Sequence, residues 1–159
     1  MNDIKKLQRT TKIVFILATL CFVFYALAIC MDFLYSYPDL ERYFPDIHLR
    51  LSACVTAILL SVPLLAIWIL FLSLLRSVWT GETPFRFAIV RRIKALALLL
   101  ILHEPYSRLV IWCEVRLTGY TTASVSFSIG NILAGLVLYC VALIFQYGVA
   151  LQAQADETL

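Results

Sequence analysis

From Leu51 to Leu75 the chain runs without one charged side chain, and no other feature restricts its fold so severely. About 20 apolar residues carry an α-helix across the hydrocarbon core of a bilayer. Lipid offers backbone amides and carbonyls no hydrogen-bond partners, so an apolar run of this length crosses as a helix. Pro63 stands in its middle. Proline lacks the amide hydrogen and is expected to kink the helix there.

Two further stretches read the same way. Ile13 to Leu34 carries only Asp32, near its far end, and Phe127 to Val149 lies within a charge-free stretch from Leu117 to Ala155. The segment between them is less regular. Ala95 to Leu102 is apolar, His103-Glu104-Pro105 follows, then Arg108, then Leu109 to Cys113. Eight apolar residues are too few to cross alone, so Ile93 to Cys113 reads as one interrupted span. The composition agrees: 62% of residues are apolar and 14% charged, against roughly 45–50% and about 25% in soluble domains. The expectation is an all-α integral membrane bundle of four transmembrane helices in one domain, residues 1–159. Its spans are 13–34, 51–75, 93–113 and 127–149, with a loop at 76–92 and a tail at 150–159. The first run passes the small-residue stop of a signal peptide, with no A-x-A site after it, and reads as a retained anchor.

Orientation follows from lysine and arginine. Lys5, Lys6, Arg9 and Lys12 precede the first span, and Arg76, Arg86, Arg91, Arg92 and Lys94 lie between the second and third. Nine of the 13 basic residues therefore put the amino terminus and the middle loop in the cytoplasm. Four spans return the carboxyl terminus there. Arg42, Arg50, Arg108 and Arg116 fall outside, offset by Asp39, Glu41, Asp46, Glu104 and Glu114. The net charge of +3 is too small to suggest direct binding of nucleic acid.

The loops carry their own signals. Tyr35, Tyr37, Tyr43 and Phe44, with Pro38 and Pro45, form a first outer loop at 35–50; such aromatics anchor in the headgroup belt, or here line a ligand-binding lip. Thr83-Pro84 fits a helix start. Phe85, Phe87, Ile89 and Val90 then mix with Arg86, Arg91, Arg92 and Lys94. This is the pattern of a short amphipathic helix on the inner leaflet, its basic residues meeting anionic lipid or a cytoplasmic protein. Ser126, Gly130 and Ala134, at intervals of four, form a small-residue groove for close helix packing, within the bundle or between copies. Of the five cysteines, Cys21 and Cys140 are expected to pack as small apolar groups. Cys30, Cys54 and Cys113 lie near the outer surface, with a disulfide among them left open.

The intramembrane polar residues are the candidate site. A charged group inside a span costs roughly 2.5–3.5 kcal/mol on insertion scales, so it requires a partner or water. Glu104 and Arg108 are four apart and face one side of a helix, where they can pair; His103 and Ser107 share the adjacent face. Glu104 falls roughly 16 Å below the outer end of its span, and Asn131 roughly 12 Å below the start of the fourth. Thr56 and Asp32 also belong to the outer half. One reading has Pro105 break the helix and the cluster satisfy the freed carbonyls. A second ends the span early, with Arg108 at the headgroups. A third has His103, Glu104, Arg108, Asn131, Asp32 and Thr56 line an outward-facing cavity for a small ligand, headgroup or proton. No catalytic residue, metal site or cofactor is indicated: His103 and Glu104 point about 100° apart, and no HExxH, GxSxG or phosphate-loop motif occurs.

Gly81-Glu82-Thr83-Pro84-Phe85 followed by Val90-Arg91-Arg92-Ile93-Lys94, and the ending Tyr147-Gly148-Val149-Ala150-Leu151-Gln152 with Asp156-Glu157-Thr158-Leu159, resemble a bacterial four-span membrane family catalogued as domain of unknown function 2975. The resemblance covers essentially the whole chain through two short motifs. It departs in the tail, where Gln152-Ala153-Gln154 stands where members more often carry acidic residues. It implies the bacterial cytoplasmic membrane and no established activity. Such proteins are often encoded beside a small helix-turn-helix regulator, which implies a cytoplasmic regulatory partner. The tail itself either frays or continues the fourth span and presents Gln152, Asp156 and Glu157. The leading expectation is a non-enzymatic sensor, regulatory or interaction protein. A small transporter or channel-like homo-oligomer comes second, and a lipid-active membrane enzyme third.

Overall fold

A computed structural model describes residues 2–43, 46–80, 86–119 and 128–157, with the side chains of residues 2–8 and 32–43 outside the description. All of the regular structure is helical: α1 (Asn2–Tyr43), α2 (Ile47–Trp79), α3 (Phe87–Thr118) and α4 (Ile129–Glu157). At 1.5 Å per residue they are about 63, 50, 48 and 44 Å long, each longer than the ~30 Å hydrocarbon core.

Among the described residues three stretches are long and apolar enough to cross a membrane: Arg9–Met31 within α1, all of α2, and all of α4. Large apolar side chains such as Phe24, Ile69 and Ile144 stand exposed along them. In water a surface of this kind would drive association; in a bilayer, lipid tails cover it. α3 has the length of a span but carries Arg91, Arg92, Lys94, Glu104, Arg108, Glu114 and Arg116.

Successive helices are antiparallel. Phe15 meets Trp79 with ring centroids 5.6 Å apart, and Phe22 meets Trp68 at 5.9 Å, so α1 and α2 run in opposite directions along an aromatic seam that also takes in Tyr25. α2 and α3 are tied by Arg92 to Ser77 at one end and Tyr106 to Leu59 further along. α3 and α4 meet through Lys94–Gln146 and through Gly135 against Ala97 and Ile101. The buried positions of α4, Gly135, Ala142 and Val149, recur every seven residues, the spacing of a helix–helix seam.

The four helices expected as a bundle pack in chain order. α1 packs on α2, α2 on α3 and α3 on α4, and among the described residues no Cα of α1 comes within 8 Å of α3 or α4, nor one of α2 within 8 Å of α4. The helices form an open row with α3 at the centre of its buried contacts. The reason is physical. Lipid tails are as apolar as leucine, so hydrophobicity alone does not draw spans together. Pairs close only where a seam of specific contacts exists.

Several boundaries also differ from expectation. The outer loop expected at 35–50 is mostly helix, since α1 continues to Tyr43 and α2 begins at Ile47. Asp46 caps α2, its Oδ1 accepting from the His48 amide at 2.9 Å; an N-cap carboxylate satisfies an amide that the first turn leaves unpaired. α3 passes through Pro105 without interruption. The segment expected to lie on the inner leaflet is, from Phe87, the first two turns of α3. Ile89 and Ile93 are buried with Ala142 of α4, flanked by Leu74, Leu138 and Phe145, so that apolar face packs on protein. Thr83, Pro84 and Phe85 lie outside the described residues. α3 ends at Gly119, whose φ of 74° is left-handed and whose amide closes on the Val115 carbonyl at 2.9 Å, an end glycine adopts without a Cβ penalty.

Candidate functional site

Three polar residues of α3, Glu104, Ser107 and Glu114, lie on its buried side. Val90, Ala97 and Glu104 lie on one sevenfold line, and Ile93, Ser107 and Glu114 on another; all six are buried. A helix flanked by neighbours on two sides buries two such stripes. Glu104 is 2% exposed. Arg108 Nε lies 3.7 Å from its Oε1, with the arginine side chain half exposed. The expected pairing of these residues is present, as a long ion pair in which the carboxylate is buried and the guanidinium is not.

Glu104 Oε1 itself, and His103 Nδ1 next to it in the chain, are buried without a hydrogen-bond partner among the described residues. Ser107 is fully buried and donates to the His103 carbonyl at 2.8 Å, which links the two residues expected to share a face.

Asn131 lies one turn from Gly135 on α4, on the side where Glu104 follows Ile101 on the antiparallel α3, and it is half-buried. Thr56 is buried on α2, one turn beyond Leu59 in the direction away from Ser77. Thr56, Glu104 and Asn131 thus come from three helices of the row to the half away from Lys94. Asp32 lies in α1, but its side chain falls outside the described residues.

Gly135, rather than the small-residue triplet, makes the close approach. A Cβ built on Gly135 would come 2.7 Å from Ile101 Cγ1, 2.8 Å from the Ala97 carbonyl and 3.1 Å from the Ile101 amide. Gly130 and Ala134 face outward, and Ser126 is outside the described residues. One position separates Ala134 from Gly135, a rotation of about 100° around the helix, and spacing alone did not say which face meets α3.

The basic residues divide between faces. Arg91 is exposed, as is Arg86, which stands at the N-cap of α3. Arg92 Nη1 donates to Ser77 Oγ at 2.7 Å on α2. Lys94 Nζ donates to Gln146 Oε1 at 2.5 Å and sits 5.7 Å from the centre of the Tyr139 ring on α4. Positions two apart point about 200° away from each other, so these two cations turn toward opposite neighbours, Arg92 to α2 and Lys94 to α4.

Other functional residues were missed. Tyr106 Oη donates to the Leu59 carbonyl at 3.0 Å. Pro63 signalled that this carbonyl loses its helical donor, but nothing in the sequence said which side chain replaces it. Glu114, assigned to the outer loop, is 4% exposed within α3, and its sevenfold distance from Ser107 is the signal that could have placed it. All five cysteines are free, and Cys21 and Cys140 are exposed instead of packed. Among the described residues no group of three or more His, Cys, Asp or Glu side chains could hold a metal ion.

The tail is helical. α4 runs unbroken to Glu157, and Ala150 through Glu157 are all exposed, including Gln152, Asp156 and Glu157. Leucine, alanine, glutamine and glutamate in this stretch are good helix formers.

These features define a helical membrane protein whose polar side chains concentrate on one central helix. Compared with protein-family models, with curated proteins and with solved structures, the chain finds no match.

Proposed function

We propose that this chain is a non-enzymatic sensor or regulatory protein of the bacterial cytoplasmic membrane, acting through a cytoplasmic partner protein. In this reading all four helices cross, α3 included, and the end of the row carrying Lys12, Arg76, Arg92 and Lys94 faces the cytoplasm by the positive-inside rule. The carrying observation is the tail. Beyond Val149, the last buried residue of α4, eight helical residues project about 12 Å, with Gln152 and Asp156 on one face and Glu157 beside them. Such a projecting helix supplies a recognition surface that the packing of α4 does not use. The resemblance to the four-span family favours a small helix-turn-helix regulator as the partner class, the basic residues Arg86 and Arg91 add a second exposed cytoplasmic contact, and assembly with further copies is compatible with the open row.

One observation favours a second reading, a small transporter or channel-like oligomer. Glu104 Oε1 and His103 Nδ1 are buried without hydrogen-bond partners among the described residues, as polar groups that await a ligand or proton would be. A single comparison separates the two. Deleting Gln152 to Leu159 leaves the packed part of α4 intact, so the truncated protein is expected to accumulate in the membrane but to lose co-purification of its partner and the linked cellular response. Full function in the truncation, with function abolished by Glu104→Gln or Asn131→Ala, gives the transport reading instead.

A further inference from the structure

At the basic end of the row, α2 and α3 enclose a cleft of ≈ 400 Å³ lined by Ser73, Arg76, Ser77, Thr80 and Arg92. Its size falls within the roughly 300–1,000 Å³ of small-molecule sites. Two guanidiniums and three hydroxyls line it, and among the described residues no carboxylate does. Ser77 is buried and holds Arg92 through one Nη1 hydrogen bond of 2.7 Å. A guanidinium has five N–H donors in a planar fork, so Arg92 is oriented by one and presents the rest. Arg76 makes no ion pair among the described residues.

One effect opposes an anion here. The cleft lies at the carboxyl end of α2, where the helix dipole amounts to roughly half a negative charge. Thr80 reduces it: its amide caps the Arg76 carbonyl, and its Oγ1 donates to the Arg76 and Ser77 carbonyls at 3.1 and 3.0 Å. Two full positive charges outweigh the remainder. Arginine forks match phosphate geometry, donating to two oxygens at once.

The level of the cleft is also informative. Trp79, two residues past Ser77, has its ring 5.5 Å from Lys12 Nζ and 5.6 Å from Phe15. A tryptophan beside a lysine is the arrangement found at the headgroup level of a bilayer. We propose that the cleft between α2 and α3 binds a phosphate group, carried by an anionic lipid headgroup or by a soluble phosphate compound.

The test uses the full chain in detergent, titrated with short-chain phosphatidylglycerol and with inorganic phosphate and read by native mass spectrometry and thermal shift. Saturable phosphatidylglycerol binding that excess inorganic phosphate fails to displace identifies a lipid headgroup; binding of inorganic phosphate, with displacement, identifies a soluble source. Under either, Arg92→Gln and Arg76→Gln should each weaken binding about tenfold, the loss of one charge-assisted contact. Arg92→Lys should fall between wild type and Arg92→Gln, and Arg91→Gln, outside the cleft, should stay within about twofold. Should Arg92→Gln fail to fold, Arg76→Gln and Ser73→Ala carry the same test. Absence of saturable binding to both probes, or equal weakening by Arg91→Gln and the cleft variants, would overturn the proposal.

Discussion

Tyr106 on α3 donates its hydroxyl hydrogen to the carbonyl of Leu59 on α2 at 3.0 Å, and that carbonyl is the one Pro63 leaves without an amide four residues on. A helix defect and an interhelical hydrogen bond are therefore one feature. In lipid an unsatisfied carbonyl has no water to turn to, so the defect on α2 sets the height at which α3 docks. Tyr106→Phe is expected to lower stability by about 1 kcal/mol, the usual net worth of a hydrogen bond. In a Pro63→Ala background the Leu59 carbonyl regains a helical donor, and the same change should cost less. Detergent melts of the four proteins in this cycle give the coupling; additive effects would mean that Pro63 and Tyr106 act independently.

Gly135 makes the opposite kind of contact, one that works through absence of a side chain. Gly135→Ala would press a methyl on the backbone of Ala97 and Ile101, which cannot rotate away, so α3 and α4 must separate. Overpacking of this kind costs about 1–3 kcal/mol. At Gly130 the nearest atom to an added Cβ is Ser128 Oγ at 3.7 Å, so Gly130→Ala should be neutral or stabilise by up to about 1 kcal/mol. Comparable destabilisation at both positions would contradict the assigned face.

Much of this architecture was legible because hydropathy and length decide whether a helix crosses lipid. The three apolar spans, their helical nature and the Glu104–Arg108 pairing all followed from spacing along the chain. What was not legible depends on rotation and on partners. Whether Ala134 or Gly135 meets α3, and whether Arg92 and Lys94 face outward or into seams, turns on about 100–200° of helix rotation that spans apolar on all sides do not encode. The continuation of α1 past Pro38 and of α3 through Pro105 has another cause. Once a helix is nucleated, propagation is cheap, and it continues past a single missing amide.

The Glu104–Arg108 pair is asymmetric, and its variants should be too. Arg108→Leu leaves a buried carboxylate alone, whereas Glu104→Gln leaves a half-exposed guanidinium that can reach toward headgroups. Arg108→Leu is expected to destabilise by about 1–2 kcal/mol, below the roughly 3–5 kcal/mol of a fully buried pair, because one partner is screened. The double variant should recover part of that loss. Equal, small effects of all three in a melting assay would place both groups in water or headgroups.

Topology follows from the basic end of the row. Reporter fusions at Thr80 and after Glu157 should give a cytoplasmic signal, and fusions at Tyr43 and Gly119 an external one. The Gly119 fusion decides whether α3 crosses. A cytoplasmic signal there, with Thr80 also cytoplasmic, would leave α3 on one side of the membrane.

The central claim is that a partner docks on the helical tail, and photo-crosslinking in cells tests it most directly. A crosslinking residue is placed in turn at each position from Ala150 to Glu157 of the full-length protein. If one face of a continuous helix meets the partner, adducts should concentrate at Gln152, Ala153 and Asp156, which lie within about 100° of one another, and weaken at Leu151 and Gln154 on the opposite side. Adducts at none of the eight positions, in cells where the wild-type response is intact, would contradict the account.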